Sequence, residues 1–298
     1  YGTGIAQGGI VDTIYGDWYG FLFQDHDGLG RVPSILAVNW DYVDTKNNKY
    51  YPDWPMMGYY DDKGNFVNCL GTSQKVKNPL TIQLNKSDKE SYIVGDDDFS
   101  YPDFKEGDSL KKVWQWNHNP DDANWSVTEN PGYYRIKNGK VAGNIWFARN
   151  SLTQRTVGPN FTSETCVLTE NMKPGDYAGL AAISAHYGMV GVKCDENGNR
   201  YVFQGCNSDT NSGAKAKKED KIKENAVSEE KIEGNAPVYL KIEYAFNTGK
   251  TRADKANFFY SLDGENWKSI GETFSLGFDT ATTFMGTRSW LVNYATKE

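Results

Sequence analysis

No run in this 298-residue sequence approaches the roughly 18 consecutive apolar residues that cross a membrane, and no basic-then-apolar leader opens it. A membrane is therefore not an expected partner. Cysteine is scarce: Cys69, Cys166, Cys194 and Cys206 form no Cys-x-x-Cys pair and are too dilute for a disulfide scaffold, which leaves buried or free thiols. Histidine is scarcer still. His26, His118 and His186 lie far apart without metal-ligand spacing and read as structural. An excess of positive charge is also missing: the formal net charge is −7, which argues against nucleic acid and anionic surfaces and leaves neutral substrates open. Neither a Ser/His/Asp ordering nor a Gly-rich phosphate loop occurs. Long amphipathic helical periods are absent, so helix should be scarce.

What the sequence does hold is aromatic and β-branched. Aromatic residues make up 14%, with nine Trp and nineteen Tyr, which favours an antiparallel all-β protein. Residues 5–12, 18–25 and 33–40 are strand-like segments separated by polar or Gly/Pro turns, a pattern like one blade of a larger ring. One blade cannot bury both of its faces, and the sequence offers no second copy, so residues 1–60 read as an incomplete blade. Residues 61–98 read as a connector. From residue 99 short strands recur with hairpin dipeptides, Asn138-Gly139, Asn197-Gly198 and Asp263-Gly264, each accepting the positive φ of a tight type I′ turn. Strands at that spacing build a two-sheet sandwich, here over 99–298. Six Lys against six Glu or Asp between Lys215 and Glu233 mark a solvated charged insertion at 205–237.

Particular motifs identify a family. Gly4-Ile5-Ala6-Gln7-Gly8-Gly9-Ile10-Val11-Asp12-Thr13, Asp17-Trp18-Tyr19, Phe23-Gln24-Asp25-His26 and Gly30-Arg31-Val32-Pro33 resemble the last propeller blade of glycoside hydrolase family 43. Trp114-Gln115-Trp116-Asn117-His118-Asn119-Pro120, Ala148-Arg149-Asn150-Ser151-Leu152-Thr153-Gln154-Arg155, Asp176-Tyr177-Ala178-Gly179-Leu180 and Tyr260-Ser261-Leu262-Asp263-Gly264-Glu265-Asn266-Trp267 resemble the sandwich that follows it in many members. The resemblance implies a concanavalin A-like antiparallel β-sandwich, a jelly roll, preceded by a single blade of a five-bladed β-propeller. It also implies one more strand beyond Thr296.

For function it implies inverting hydrolysis of xylan- or arabinoxylan-type polysaccharide, or its oligosaccharides, by a complete enzyme of β-xylosidase or α-L-arabinofuranosidase type. Such chemistry needs an acid and a base about 6.5–9.5 Å apart. In the family both lie on earlier blades, so no catalytic residue is expected in this chain, and the remaining propeller blades are an expected partner. Arg31 stands where a family Arg binds the sugar at the floor of the active site, a role suited to an always-charged fork of donors; the alternative is a surface Arg paired with Asp25 or Asp27. Gln7 lies in a motif that more often reads Ile-His-Gln-Gly-Gly. Here Ala6 replaces that His, a methyl group ligates no metal, and a structural calcium that depends on the His is in doubt; no cofactor is expected. Phe284 matches a loop that leans into the pocket mouth, or else is a strand-end core residue. Trp114 and Trp116 either stack on sugar rings or belong to the core, as do Tyr133 and Trp146. Secretion is the expected location because insoluble polymer must be reached; trimming of short oligosaccharides in the cytoplasm is the alternative. The other functional class left open is a non-catalytic xylan-binding module.

Overall fold

The computed structural model describes residues 5–69, 92–184, 186–207, 225–247, 254–277 and 285–297. The chain divides into two compact units, 1–26 with 30–90, and 27–29 with 91–298.

The first unit begins with β1 (Ile5–Asp12), β2 (Trp18–Asp25) and β3 (Arg31–Asn39), close to the segments expected from the sequence. β4 (Tyr42–Asp44) and β5 (Lys49–Tyr51) make a separate hairpin, and β6 (Met56–Tyr60) and β7 (Phe66–Asn68) complete a sheet in the order β1-β2-β3-β6-β7. The fifth strand thus lies inside the stretch read as connector. Its turn explains why: the Asp61 carboxylate accepts from the amides of Lys63 and Asn65, and Gly64 takes φ +79°, so a polar segment closes a hairpin. One face of the sheet buries Leu22, Leu36 and Tyr59. On the opposite face Val11, Phe21 and Ile35 are exposed, and Phe21 and Ile35 are register partners.

The second unit is a two-sheet sandwich. Its strands are β8 (Gln115–Trp116), β9 (Trp125–Ser126), β10 (Arg135–Ile136), β11 (Leu152–Arg155), β12 (Asn160–Val167), β13 (Asp176–Ile183), β14 (Tyr187–Cys194), β15 (Arg200–Asn207), β16 (Asn225–Ile232), β17 (Val238–Ala245), β18 (Lys255–Ser261), β19 (Lys268–Ser269), β20 (Phe274–Ser275) and β21 (Arg288–Ala295). The wide sheet runs β16-β15-β14-β13-β21-β11-β8, and the narrow one β12-β17-β18-β19 with β20 also on β18. Strand alternation makes the core: Leu180, Val190, Val192 and Val202 of the wide sheet meet Leu240, Ile242, Tyr244 and Phe258 of the narrow one. All the described pairings are antiparallel, and helix is confined to single 3₁₀ turns among the described residues.

Two hairpins fall where Asn197-Gly198 and Asp263-Gly264 place them, joining β14 to β15 and β18 to β19. The turn chemistry differs from type I′. Gly198 and Gly264 take φ +80° but Asn197 and Asp263 do not, and the carboxylates of Asp195 and Asp263 gather the following amides instead. The Asn138-Gly139 hairpin does not form. β10 pairs with β9, and Ile145–Phe147 is a 3₁₀ turn capped by the Asn144 side chain, which accepts from the Trp146 amide. The reason is burial: Ile145 and Trp146 pack with Ala181, Ile183, Tyr187, Phe203 and Trp290, on the face of the wide sheet turned away from the narrow one. Within 205–237, read as an insertion, Asn225–Ile232 is the edge strand β16; Glu229 pairs with Lys193, and Ile232 turns into the core.

Residues Asp27–Leu29 form a 3₁₀ turn that counts with this second unit. The Gly28 amide donates to Asp254 Oδ2 at 2.9 Å, and Gly28 O accepts from Thr287 N at 2.7 Å and Thr287 Oγ1 at 2.8 Å. A Cβ on Gly28 would lie 2.8 Å from that carboxylate oxygen, so any larger residue there would have to displace the Asp254 side chain or the turn.

Candidate functional site

Strand register assembles one end of the first unit's sheet. Ile5 faces Gln24, Gln24 faces Val32, and Asp25 faces Arg31, so the start of β1, the end of β2 and the start of β3 come together there. A bulge interrupts β1 between Ala6 and Gly8, leaving Gln7 as the extra residue. Gln7 sits at φ +52° and Gly8 at φ +152°, where a Cβ would stand 2.0 Å from Phe21 O. Glycine is therefore obligatory at 8, and the Gln7 side chain is exposed beside it. Arg31 is half-buried. Its guanidinium lies over the Phe23 ring, 4.2 Å from the centroid, and Nε is 3.4 Å from Asp25 Oδ1. The Asp25 partner weighed from the sequence is thus present, and Phe23 holds the planar group from one side. Gln7 and Arg31 are brought to the same end of one sheet.

Trp114 and Trp116 stand in the second unit within an aromatic cluster. Phe99, at φ +51°, stacks on Trp114 at 5.6 Å and on Tyr134 at 5.5 Å. Trp116 meets Trp125 at 5.2 Å. The Tyr134 hydroxyl donates to Asn150 O at 2.6 Å, and burial pushes its ionisation far up. Asp97 holds the group together. Its fully covered carboxylate accepts from Trp114 Nε1 at 2.8 Å, Tyr101 Oη at 2.6 Å and the Phe99 amide at 3.0 Å, with Lys111 Nζ at 3.1 Å. Burial raises the Asp97 pKa, but those donors outweigh it and hold the group below the usual carboxylate range. Tyr101 in turn is pushed up to about 12, by burial first and by the Asp97 bond second. Asp97 was not legible beforehand, because Asp96-Asp97-Asp98 reads as a solvated acidic run.

Trp146 is buried, edge-on to Tyr187 at 5.8 Å and to Trp290 at 6.1 Å, and its carbonyl accepts from His118 Nε2. Tyr133 is exposed. Phe284 lies outside the described residues. The Ala6 side chain offers no ligating atom, and among the described residues no three His, Cys, Asp or Glu side chains cluster as a metal cage. The buried Asp254 carboxyl is pushed up by desolvation, but its oxygens are committed to the amides of Gly28 and Asn247.

Comparison with known proteins agrees with this architecture. Residues 102–298 match the family model of the beta-xylosidase C-terminal concanavalin A-like domain. A beta-xylosidase of Formosa agariphila is 27% identical over 320 residues, covering 98% of this chain and 45% of the relative. A relative from Xylanibacter ruminicola is 28% identical over 274 residues, covering 92% of this chain and 42% of its own. Among solved structures, a bifunctional GH43-CE protein of Bacteroides eggerthii superposes with a TM-score of 0.74 at 35% identity, over 99% of this chain and 33% of that one. A GH43 glycoside hydrolase engineered to display both endo-xylanase and exo-arabinofuranosidase activity shares the fold, with a TM-score of 0.76 at 23% identity over 99% of this chain and 52% of that one. The chain spans about half the length of the curated relatives it matches. With its sandwich matched from 102 to 298 and its preceding sheet matched in whole structures, the chain belongs to glycoside hydrolase family 43 and corresponds to a C-terminal part of its enzymes, carrying the beta-xylosidase C-terminal concanavalin A-like domain.

Proposed function

We propose that this chain forms the C-terminal part of a glycosidase that hydrolyses xylan- or arabinoxylan-type carbohydrate, with the general acid and general base supplied by polypeptide outside residues 1–298. The observation that carries the proposal is the sandwich's membership of the beta-xylosidase C-terminal family, in a chain about half as long as its relatives. The exposed face of Val11, Phe21 and Ile35 supports it, since a propeller blade buries such a face against its neighbour. In this reading Arg31, steadied by Phe23 and Asp25, offers its remaining donors to sugar hydroxyls, and Gln7 is presented beside it by the β1 bulge. The enzyme works outside the cell on material too large to import.

The test is hydrolysis of nitrophenyl β-xyloside and nitrophenyl α-arabinofuranoside by the 298-residue chain. No turnover above buffer is expected. Turnover comparable to a complete family 43 enzyme would place both carboxylates within these residues and defeat the proposal.

A further inference from the structure

β3 and β6 are neighbours in the sheet of the first unit, with Asn39 facing Met56. A reversal between paired strands needs about two to five residues, yet the chain spends the sixteen residues 40–55 on it. Five of the sixteen are Trp or Tyr, about twice the 14% aromatic share of the whole chain. The hairpin of β4 and β5 occupies this excursion and has two faces, because strand residues alternate. Tyr42 and Tyr51 are register partners on one face, stacked at 6.3 Å, and Tyr42 meets Phe66 of β7 edge-on at 5.7 Å. Val43 and Tyr50 are partners on the other face and stay exposed. Asp41 ties the base of the hairpin: its Oδ1 accepts from the Tyr50 hydroxyl at 3.2 Å and from the Asp53 amide at 2.9 Å. That bond sets Trp40 and Trp54 beside one linked pair of residues, and Trp18, at the start of β2, stands edge-on to Trp40 at 5.4 Å.

The inner rings fasten the hairpin; the outer ones fasten nothing. Trp54 is 58% exposed and Tyr50 56%, and the Trp54 indole has neither a ring partner nor a hydrogen bond among the described residues. Trp18 and Trp40 are exposed as well. By alternation Trp18 lies on the opposite side of β2 from Phe21, so it does not belong to the face of Val11, Phe21 and Ile35 that a neighbouring blade takes. The excursion also stands at the far end of β2 from Asp25 and Arg31, about 23 Å along the strand. Chemistry selects the occupant. Residues 40–55 contain no Leu, Ile, Phe or Met, and they place three Asp and two Lys among the rings, residue types that are depleted from the centre of protein interfaces. The near balance of charge leaves little field to attract a charged polymer. Flat rings with carboxylate acceptors beside them suit a partner that is apolar on one face and carries hydroxyls at its edge, which describes a neutral sugar.

We infer that Trp18, Trp40, Tyr50 and Trp54 form a surface platform that holds a neutral, xylan-type chain. The rings stack on the C–H faces of the sugars, and Asp41 Oδ2 and the Asp53 carboxylate, neither of them bonded among the described residues, accept from sugar hydroxyls. No bond is made or broken there; the platform keeps polymer on the protein. The choice of polymer rests on the glycosidase reading, whereas the platform itself rests on the exposed rings.

The test is native affinity electrophoresis of the 298-residue chain on arabinoxylan and on a mixed-linkage β-glucan, with sedimentation velocity on the same samples. Retardation by arabinoxylan is expected. Trp54→Ala removes an exposed side chain with no partner, so it should melt as the parent does and be retarded at least fivefold less. Trp54→Tyr keeps a flat ring and should restore most of the retardation, which a merely structural role would not require. Absence of retardation overturns the inference, and so does equal retardation of Trp54→Ala and the parent, which would place xylan binding elsewhere in the chain. Retardation by β-glucan alone overturns the choice of polymer. A dimer that Trp54→Ala dissolves, with retardation unchanged, would make the platform a contact between copies of this chain and overturn it too. Hydrolysis of nitrophenyl β-xyloside reads the proposed function, and its presence or absence leaves these retention readouts as they are.

Discussion

Replacing Trp146 tests whether the outer face of the wide sheet is closed. The indole is 8% exposed, with Tyr187 and Trp290 edge-on at 5.8 and 6.1 Å. A Trp of this kind buries about 150–250 Å², worth about 4–6 kcal/mol at roughly 25 cal/mol per Å². Measured large-to-small changes of this type cost about 3–5 kcal/mol. Trp146→Ala should therefore destabilise the sandwich by about 3–5 kcal/mol. At about 2–4 °C per kcal/mol for a unit of this size, the melting temperature falls by roughly 6–20 °C. The main-chain bonds to Asn144 and His118 survive the change. Trp146→Phe is the sharper control. Trp146 Nε1 is buried and makes no hydrogen bond among the described residues. Removing such a donor recovers about 1–3 kcal/mol, which offsets the smaller ring, so this variant should stay within about 1 kcal/mol of the parent. The assays are thermal unfolding and affinity electrophoresis on xylan. An Ala variant that melts normally and loses xylan retention would show that this face is open to sugar, and the packing argument would fail.

Other outcomes follow from the same geometry. Asp97 is held low in the fold, so it adds stability above the unfolded value of 3.8 and loses it as pH falls through 3.8 toward its lower folded value. Melting temperatures between about pH 5 and 2 should therefore fall less steeply for Asp97→Asn than for the parent; equal slopes would remove Asp97 from the account. Gly8→Ala drives a Cβ to 2.0 Å from Phe21 O and should cost more than about 1 kcal/mol, read by chemical denaturation of the first unit. In a complete enzyme, Arg31→Ala should lower kcat/KM by roughly 10- to 150-fold, the value of a charged hydrogen bond of about 1.5–3 kcal/mol, and Arg31→Lys should not restore it because the planar fork is lost. Unchanged kinetics would return Arg31 to a surface ion pair with Asp25.

Alternation is what made the fold readable. β1, β2, β14, β15 and β18 are runs of β-branched and aromatic residues, and their turns contain Gly198 and Gly264, which local chemistry alone can place. The Asn138-Gly139 expectation failed because hairpin dipeptides report permissiveness toward positive φ, whereas Ile145 and Trp146 gain more by burial on the wide sheet. β16 was hidden because a balanced charge pattern looks alike on a loop and on an exposed edge strand. At the candidate site, Arg31 and Gln7 were found through motif, and their arrangement came from register. The β1 bulge at Gln7 could be suspected from Gly8-Gly9, but Phe23 beneath Arg31 and Asp97 beneath Trp114 are tertiary pairings with no local sequence signal.

The clasp on Gly28 bears on where this protein can be cut for separate expression. A fragment that starts at residue 102, where the family match begins, lacks Asp27–Leu29. Asp254 then keeps the Asn247 amide but loses that of Gly28, and Thr287 loses the acceptor of both its amide and its hydroxyl. Each orphaned buried group costs about 1–3 kcal/mol. A trimmed sandwich therefore begins life at a deficit that no optimisation of its own ends repairs, and tethering a short Asp-Gly-Leu turn back to it is the more promising boundary design.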